Sequence, residues 1–191
     1  MSIDYPWIVF FSRTGSEITN LIVHYNRIPD AIITNRQGIE GIEPHLKNLL
    51  NEGKLNWVVI PKNPSVSDYK KALKPFKDPL ITLHGYLRII PKEICKKYKI
   101  YNLHPGLITM YPELRGKDPQ VRAVQASHKI AGVVIHEVVP EVDAGKIIHD
   151  HAINIQGLTE EEVIRGLHSL ASAVWYKFFD NYEHRRNSKR N

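Results

Sequence analysis

The chain has 191 residues, 42% of them hydrophobic, and a formal net charge of +6, which suits one domain with a real core and excludes a second large one. The start lacks the basic, apolar and small-residue regions of a signal peptide, no apolar run reaches membrane-spanning length, and the lone cysteine, Cys95, excludes an internal disulfide or a cysteine-based zinc site. A soluble cytoplasmic protein is expected, with residues 1–182 as its domain and 183–191 as a basic, disordered tail containing Arg185, Arg186, Lys189 and Arg190. The basic residues show no aromatic interleaving, so neither a nucleic-acid nor a membrane partner is expected.

Trp7 to Phe11 is a continuous apolar run of the kind found in central parallel strands. Ser12-Arg13-Thr14-Gly15-Ser16-Glu17 follows as a turn, and then Ile18, Leu21, Ile22 and Tyr25 recur at helical spacing. Strand, glycine turn and helix in that order aim backbone N–H groups at the helix start, where an anion can sit. Taken alone, such a turn more often only connects its two elements.

Ala31 to Thr34 reads as a second strand. A helix is expected from Ile42 to Glu52, with Leu46, Leu49 and Leu50 facing inward and Gly53 ending it. Trp57 to Ile60 reads as a third strand and Tyr69 to Phe76 as the next helix. Pro79 to Gly85 supplies a fourth strand, and a short helix over Lys92 to Lys97 takes in Cys95. This alternation predicts an α/β fold built on a doubly wound, mostly parallel sheet.

Lys99 to Leu103 is the next strand, and Pro105 stops it near His104 because proline cannot donate to a ladder. The period of two puts Asn102 and His104 on one side of the pleat. An imidazole holds or releases a proton near neutral pH, and a carboxylate such as Asp143 would orient it and favour its charged form. An amide such as Asn102 can donate to an oxyanion forming on a carbonyl carbon. One histidine at a strand end, however, is more commonly structural.

Thr109 to Asp118 is expected as a loop, and Pro119 to start a helix carrying Val121, Val124 and Gln125. Gly132 to Val138 and Lys146 to Ile155 read as an antiparallel C-terminal strand pair joined by Val139 to Ala144, with His136 in a supporting role. His149 and His151 have no evident third partner, so no metal site is expected. Thr159 and Glu162 make a capping box, and Val163, Leu167, Leu170, Val174 and Phe178 form the inward stripe of the last helix.

Asn102-Leu103-His104-Pro105-Gly106-Leu107, Tyr111-Pro112-Glu113-Leu114-Arg115-Gly116, His136-Glu137-Val138 and Val142-Asp143-Ala144-Gly145 closely resemble, in order and separation, the folate-dependent formyltransferase family. Its members have a Rossmann-like fold and move a formyl group from 10-formyltetrahydrofolate to an amine. The resemblance implies Asn102, His104 and Asp143 as catalytic residues. It implies Thr14, Gly15, Ser16 and Glu17 as the site of a substrate phosphate, and Leu87, Arg88, Ile89, Ile90, Val139 and Glu141 as folate-binding positions.

The implied ligands are a small phosphorylated amine and the folate co-substrate, without metal, in a monomer or homodimer. The implied activity is direct attack by the amine of glycinamide ribonucleotide through a tetrahedral intermediate. Alternatives are an amino-deoxysugar nucleotide as acceptor, or a non-catalytic module that binds folate or nucleotide. Purine-pathway members usually carry Asn where this chain has Glu17, and a Glu-His pair where it has Leu167-His168. The loop from Tyr111 to Gly116 looks closer to tRNA- and sugar-directed members. Relatives with an added C-terminal barrel or N-terminal regulatory domain do not match the length.

Overall fold

In a computed structural model, which describes residues 5–188 except the side chain of residue 187, the chain is grouped into two compact units. One runs to Asn102 and takes in Val138–Pro140; the other comprises Leu103–Glu137 and the chain from Glu141 onward.

In the first unit the apolar runs become strands β1 (Trp7–Phe11), β2 (Ala31–Thr34), β3 (Trp57–Val59), β4 (Leu80–His84) and β5 (Ile100–His104), the last continuing into the second unit. They lie in the order β3-β2-β1-β4-β5, every neighbouring pair parallel. Parallel neighbours need crossovers, which helices α1 (Ser16–Tyr25), α2 (Pro44–Asn51), α3 (Val66–Leu73) and α4 (Lys92–Lys97) supply. Winding reverses at β1, which pairs with β2 on one side and β4 on the other, Phe11 standing opposite His84. Such a reversal opens a crevice at the carboxyl ends of the strands, where α/β proteins bind ligands.

Two helices of this unit, α3 and α2, have boundaries that differ from the sequence expectation, and each starts where it does for a local reason. Helix α3 begins at Val66 rather than Tyr69 and ends at Leu73 rather than Phe76. Ser65 opens it with a capping box, its hydroxyl accepting from the Asp68 N–H at 3.3 Å while the Asp68 carboxylate accepts from the Ser65 N–H at 2.7 Å. Helix α2 begins at Pro44 rather than Ile42, since proline is suited to a first turn and cannot sit deeper.

The core of this unit gathers Ile8, Phe10, Ile33, Leu73, Ile81 and Ile100 around the Tyr69 and Tyr86 rings. Phe10 meets Tyr86 edge-on at 5.3 Å and Tyr69 at 5.9 Å, and the two phenol oxygens are 2.7 Å apart. Burial raises both phenols above their ordinary range, so each stays neutral and satisfies the other. Full burial of a ring the size of Phe10 contributes roughly 1.5–3 kcal/mol.

The second unit continues from the end of β5 through a 3₁₀ turn at Pro112–Leu114 to α5 (Pro119–Gln125), β6 (Ile130–Glu137), β7 (Ile147–Asn154) and α6 (Glu160–Ser188). Helix α5 buries Pro119 and Ala123, whereas Val121 and Val124 are only half-buried. Strands β6 and β7 pair antiparallel with a register shift at Ile135/His136, the kind of irregularity that re-aims a side chain. The hairpin closes tightly, the Glu137 N–H donating to the Lys146 carbonyl at 2.9 Å. A side chain on Gly145 would collide with the Glu137 carbonyl.

The expected capping box opens α6, where the Thr159 N–H donates to Glu162 at 2.8 Å. The helix continues to Ser188. Tyr182 stacks on Phe178 at 5.8 Å, carrying the aromatic stripe a further turn. Arg185 and Arg186 in the last turn favour the negative end of the helix dipole. The rest of the expected tail, residues 189–191, lies outside the described residues. Among the described residues no helix is long and apolar enough to cross a membrane.

Candidate active site

Asp143 stands at the centre of the polar cluster in the second unit. It lies on the β6–β7 connection with φ of 51°, a left-handed conformation that short polar side chains tolerate better than most. Its Oδ2 accepts from the Gly116 N–H at 2.9 Å and lies 3.3 Å from His104 Nδ1. Its Oδ1 lies 3.3 Å from His136 Nε2. One carboxylate thus bridges two imidazoles, and the register shift in β6 falls at the second of them.

His104 is 4% exposed and held at both nitrogens, since Nε2 lies 2.8 Å from the Leu114 carbonyl oxygen. A carbonyl only accepts, so Nε2 carries the hydrogen in that contact. Clearance around the ring depends on Gly106, where a Cβ would stand 2.8 Å from His104 Nε2 and 2.7 Å from the Pro119 Cβ.

Electrostatics separate the two partners. Burial pushes His104 below its ordinary range, outweighing the opposing pull of Asp143 and the Leu114 carbonyl. Burial alone would raise the Asp143 carboxyl. The hydrogen bond from His136, the His104 charge and the Gly116 N–H together hold it below the usual carboxylate range instead. The result is a carboxylate at neutral pH beside an imidazole biased towards its neutral form. Asp143 does favour the charged ring, as the sequence led one to expect, but burial penalises that form more than one carboxylate repays.

Asn102 is half-buried on β5, two residues before His104 and opposite Leu83 of β4.

In the first unit, the turn after β1 places Gly15 at the N-cap of α1 in a left-handed conformation, with Ser16 and Glu17 in the first helical turn. Thr14 and Ser16 are exposed. The Glu17 carboxylate points to His84 Nδ1 at 2.9 Å, and His84 Nε2 lies 3.0 Å from the Thr82 hydroxyl. That hydroxyl in turn accepts from the Trp7 indole N–H at 2.9 Å. Arg36 braces the same turn, donating to the carbonyls of Arg13 at 2.9 Å and of Glu40.

The other expected folate positions are unlike one another. Leu87 and Ile89 are 56% and 70% exposed, whereas the Ile90 side chain is buried in the first core at 3%. The Leu87 N–H donates to the Ser12 hydroxyl at 3.0 Å, and Arg88 Nε donates to the Lys62 carbonyl at 2.8 Å. Val139 is half-buried and Glu141 exposed.

Sequence reasoning assigned no role to His84, Thr82, Leu114, Gly116 or Arg122. Leu114 and Gly116 act through main-chain groups and leave no side-chain signature. His84 does have a signal, a histidine at a strand end two residues after a threonine. Among the described residues there is no group of three or more His, Cys, Asp or Glu side chains able to hold a metal ion.

Comparison with known proteins adds the family to this geometry. Residues 8–177 match the family model described as formyl transferase. The chain is 37% identical over 100 residues to phosphoribosylglycinamide formyltransferase of Bacillus subtilis (strain 168), covering 51% of this chain and 49% of the relative. It is 29% identical over 161 residues to the chicken (Gallus gallus) trifunctional purine biosynthetic protein adenosine-3, covering 78% of this chain but only 15% of that protein. A methionyl-tRNA formyltransferase of Campylobacter lari is 28% identical over 138 residues, covering 72% of this chain and 45% of the relative. The chain therefore spans about half or less of each of these relatives. Among solved structures, phosphoribosylglycinamide formyltransferase from Anaplasma phagocytophilum superposes with a TM-score of 0.81 at 24% identity, covering 94% of this chain and 87% of that one. A formyltetrahydrofolate deformylase from Pseudomonas syringae pv. tomato gives 0.79 at 20% identity, covering 97% and 63%.

Proposed function

Because the chain belongs to the formyl transferase family, we propose that it moves the formyl group of 10-formyltetrahydrofolate to the amine of glycinamide ribonucleotide, a step of purine biosynthesis. The observation that carries the reading is the Asp143 carboxylate set against buried His104, two residues along β5 from Asn102.

In this reading the acceptor amine attacks the formyl carbon, and the carbonyl electrons move onto oxygen. Asn102 donates an N–H to that oxyanion and His104 stabilises it alongside. The attacking amine must lose a proton and the folate nitrogen must gain one before the tetrahedral adduct breaks its bond to that nitrogen. His104, biased towards its neutral form, takes part in this transfer, and Asp143 orients the ring and relays the proton through water. No covalent enzyme intermediate is needed. Holding donor and acceptor together supplies much of the remaining rate.

Ligand positions follow from local chemistry. The backbone N–H groups at Gly15, Ser16 and Glu17, with Thr14 beside them, receive the phosphate at the start of α1. The turn of Glu17 towards His84 removes the repulsion its carboxylate would otherwise exert there. Exposed Leu87 and Ile89, the backbone of Arg88 and Ile90, and the segment with Val139 and Glu141 receive the folate.

The purine-pathway relatives support glycinamide ribonucleotide as acceptor. An amino-deoxysugar nucleotide is the second reading, favoured by the loop from Tyr111 to Gly116, which looks closer to that of tRNA- and sugar-directed members. Incubating the protein with 10-formyltetrahydrofolate and each acceptor separately, and following tetrahydrofolate release, decides between them. Turnover only with the sugar nucleotide would overturn the leading acceptor; turnover with neither would overturn both.

A further inference from the structure

The loop between His104 and α5 meets the His104–Asp143 pair through its main chain. The Leu114 carbonyl holds His104 Nε2 at 2.8 Å, and the Gly116 N–H holds Asp143 Oδ2 at 2.9 Å. Main-chain groups are only as well placed as the loop that carries them, and here the side chains of Glu113, Arg115 and Lys117 are exposed. The restraint comes from α5. Arg122 Nη1 donates to the Glu113 carbonyl at 2.5 Å, Nη2 to the Arg115 carbonyl at 2.6 Å and Nε to the Lys117 carbonyl at 3.0 Å.

The three carbonyls gripped by Arg122 alternate with the two residues that grip the pair. Positions 113, 115 and 117 bind the guanidinium, while 114 and 116 bind His104 and Asp143. A planar guanidinium offers five donors in a fixed fork, so it can satisfy three diverging carbonyls at once. Each bond is charge-assisted and correspondingly strong. The base of the fork is fixed as well, because the Arg122 N–H donates to the Asp118 carbonyl at 3.1 Å at the start of α5.

We propose that Arg122 is a positioning residue for formyl transfer, acting through the main chain of residues 113–117 to set the orientation of His104 and the placement of Asp143. The proposal rests on the functional reading above and adds a residue that touches neither member of the pair. Arg122 accounts for how a loop with exposed side chains delivers a carbonyl and an N–H to two groups that must be set within fractions of an ångström.

The test compares Arg122→Gln, which loses the charge and the fork, with Arg122→Lys, which keeps the charge alone. Steady-state kinetics with 10-formyltetrahydrofolate and glycinamide ribonucleotide are read beside the ring 15N signals of His104 and the far-UV circular dichroism of each protein. Arg122→Gln is expected to lower kcat about 10- to 100-fold while KM for both substrates stays within about 3-fold, the signature of lost alignment rather than lost binding. The His104 ring signals move, and Arg122→Lys falls between Arg122→Gln and the unchanged protein.

Wild-type kcat with unmoved ring signals, or a fall in kcat that only tracks the folded fraction, overturns the proposal. Should Arg122→Gln fail to fold, the same two readouts on Arg122→Lys decide it. Should the unchanged protein transfer no formyl group, the functional reading fails by itself. The ring signals then still decide whether Arg122 orients His104, unmoved signals counting against it.

Discussion

His84 and His104 invite comparison, for each is a buried histidine at the carboxyl end of a strand with a carboxylate on Nδ1, yet their surroundings make opposite demands. At His84, Nδ1 lies 2.9 Å from the Glu17 carboxylate and Nε2 lies 3.0 Å from the Thr82 hydroxyl, which can donate as well as accept and which accepts from the Trp7 indole. Around His104 both partners, the Asp143 carboxylate and the Leu114 carbonyl, are acceptors. Only the imidazolium can donate to both at once, while burial disfavours that form. The first arrangement turns the Glu17 carboxylate towards His84 at the start of α1. The second is held between two protonation states, which is what a group that moves a proton requires. The two histidines thus differ in their second partner, a hydroxyl at His84 and a main-chain carbonyl at His104.

The contrast can be sharpened by substitutions that touch one histidine only. Gly106→Ala sets a methyl group against the His104 ring and Pro119 and should cut kcat about 100-fold by displacing the ring, measured per folded molecule. Wild-type kcat in this variant would show that the ring position is not critical. Thr82→Val removes the buried hydroxyl shared by Trp7 and His84. The expected cost is about 1–3 kcal/mol of stability by urea unfolding, with kcat unchanged at 25 °C. A loss of kcat with intact stability would erase the distinction between the two sites.

Acid sensitivity is the smallest effect and has a definite sign. His104 is held below its ordinary value, so as pH falls past about 6.5 the unfolded chain takes up a proton before the folded one, and stability declines. Asp143 is also held low, so its contribution is present above about pH 3.9 and is lost below it. Stability to urea should therefore fall in two stages as pH is lowered. His104→Asn should shrink the first stage, leaving the part due to His149, which burial also holds low, and a midpoint that rises on acidification would contradict the assigned direction.

The strands, their parallel pairing and the antiparallel C-terminal pair were legible because continuous and alternating apolar runs report burial directly. The pairing of His104 with Asp143 was legible from their motif side chains. The start of α3 was misplaced because the Ser65–Asp68 capping box lies ahead of the apolar spacing. Leu114 and Gly116 could not be read at all, since what they contribute is a carbonyl and an N–H. The bias of His104 towards its neutral form depends on burial that no local spacing reveals.

The account turns on the Asp143 carboxylate, and the most direct test is the rate of formyl transfer by Asp143→Asn measured beside folate binding to the same protein. A fall in kcat of about 10²- to 10⁴-fold, with folate affinity within about threefold of the unchanged protein, is the predicted result. Undiminished transfer by Asp143→Asn would contradict the assignment of His104 and Asp143 as the pair that moves the proton.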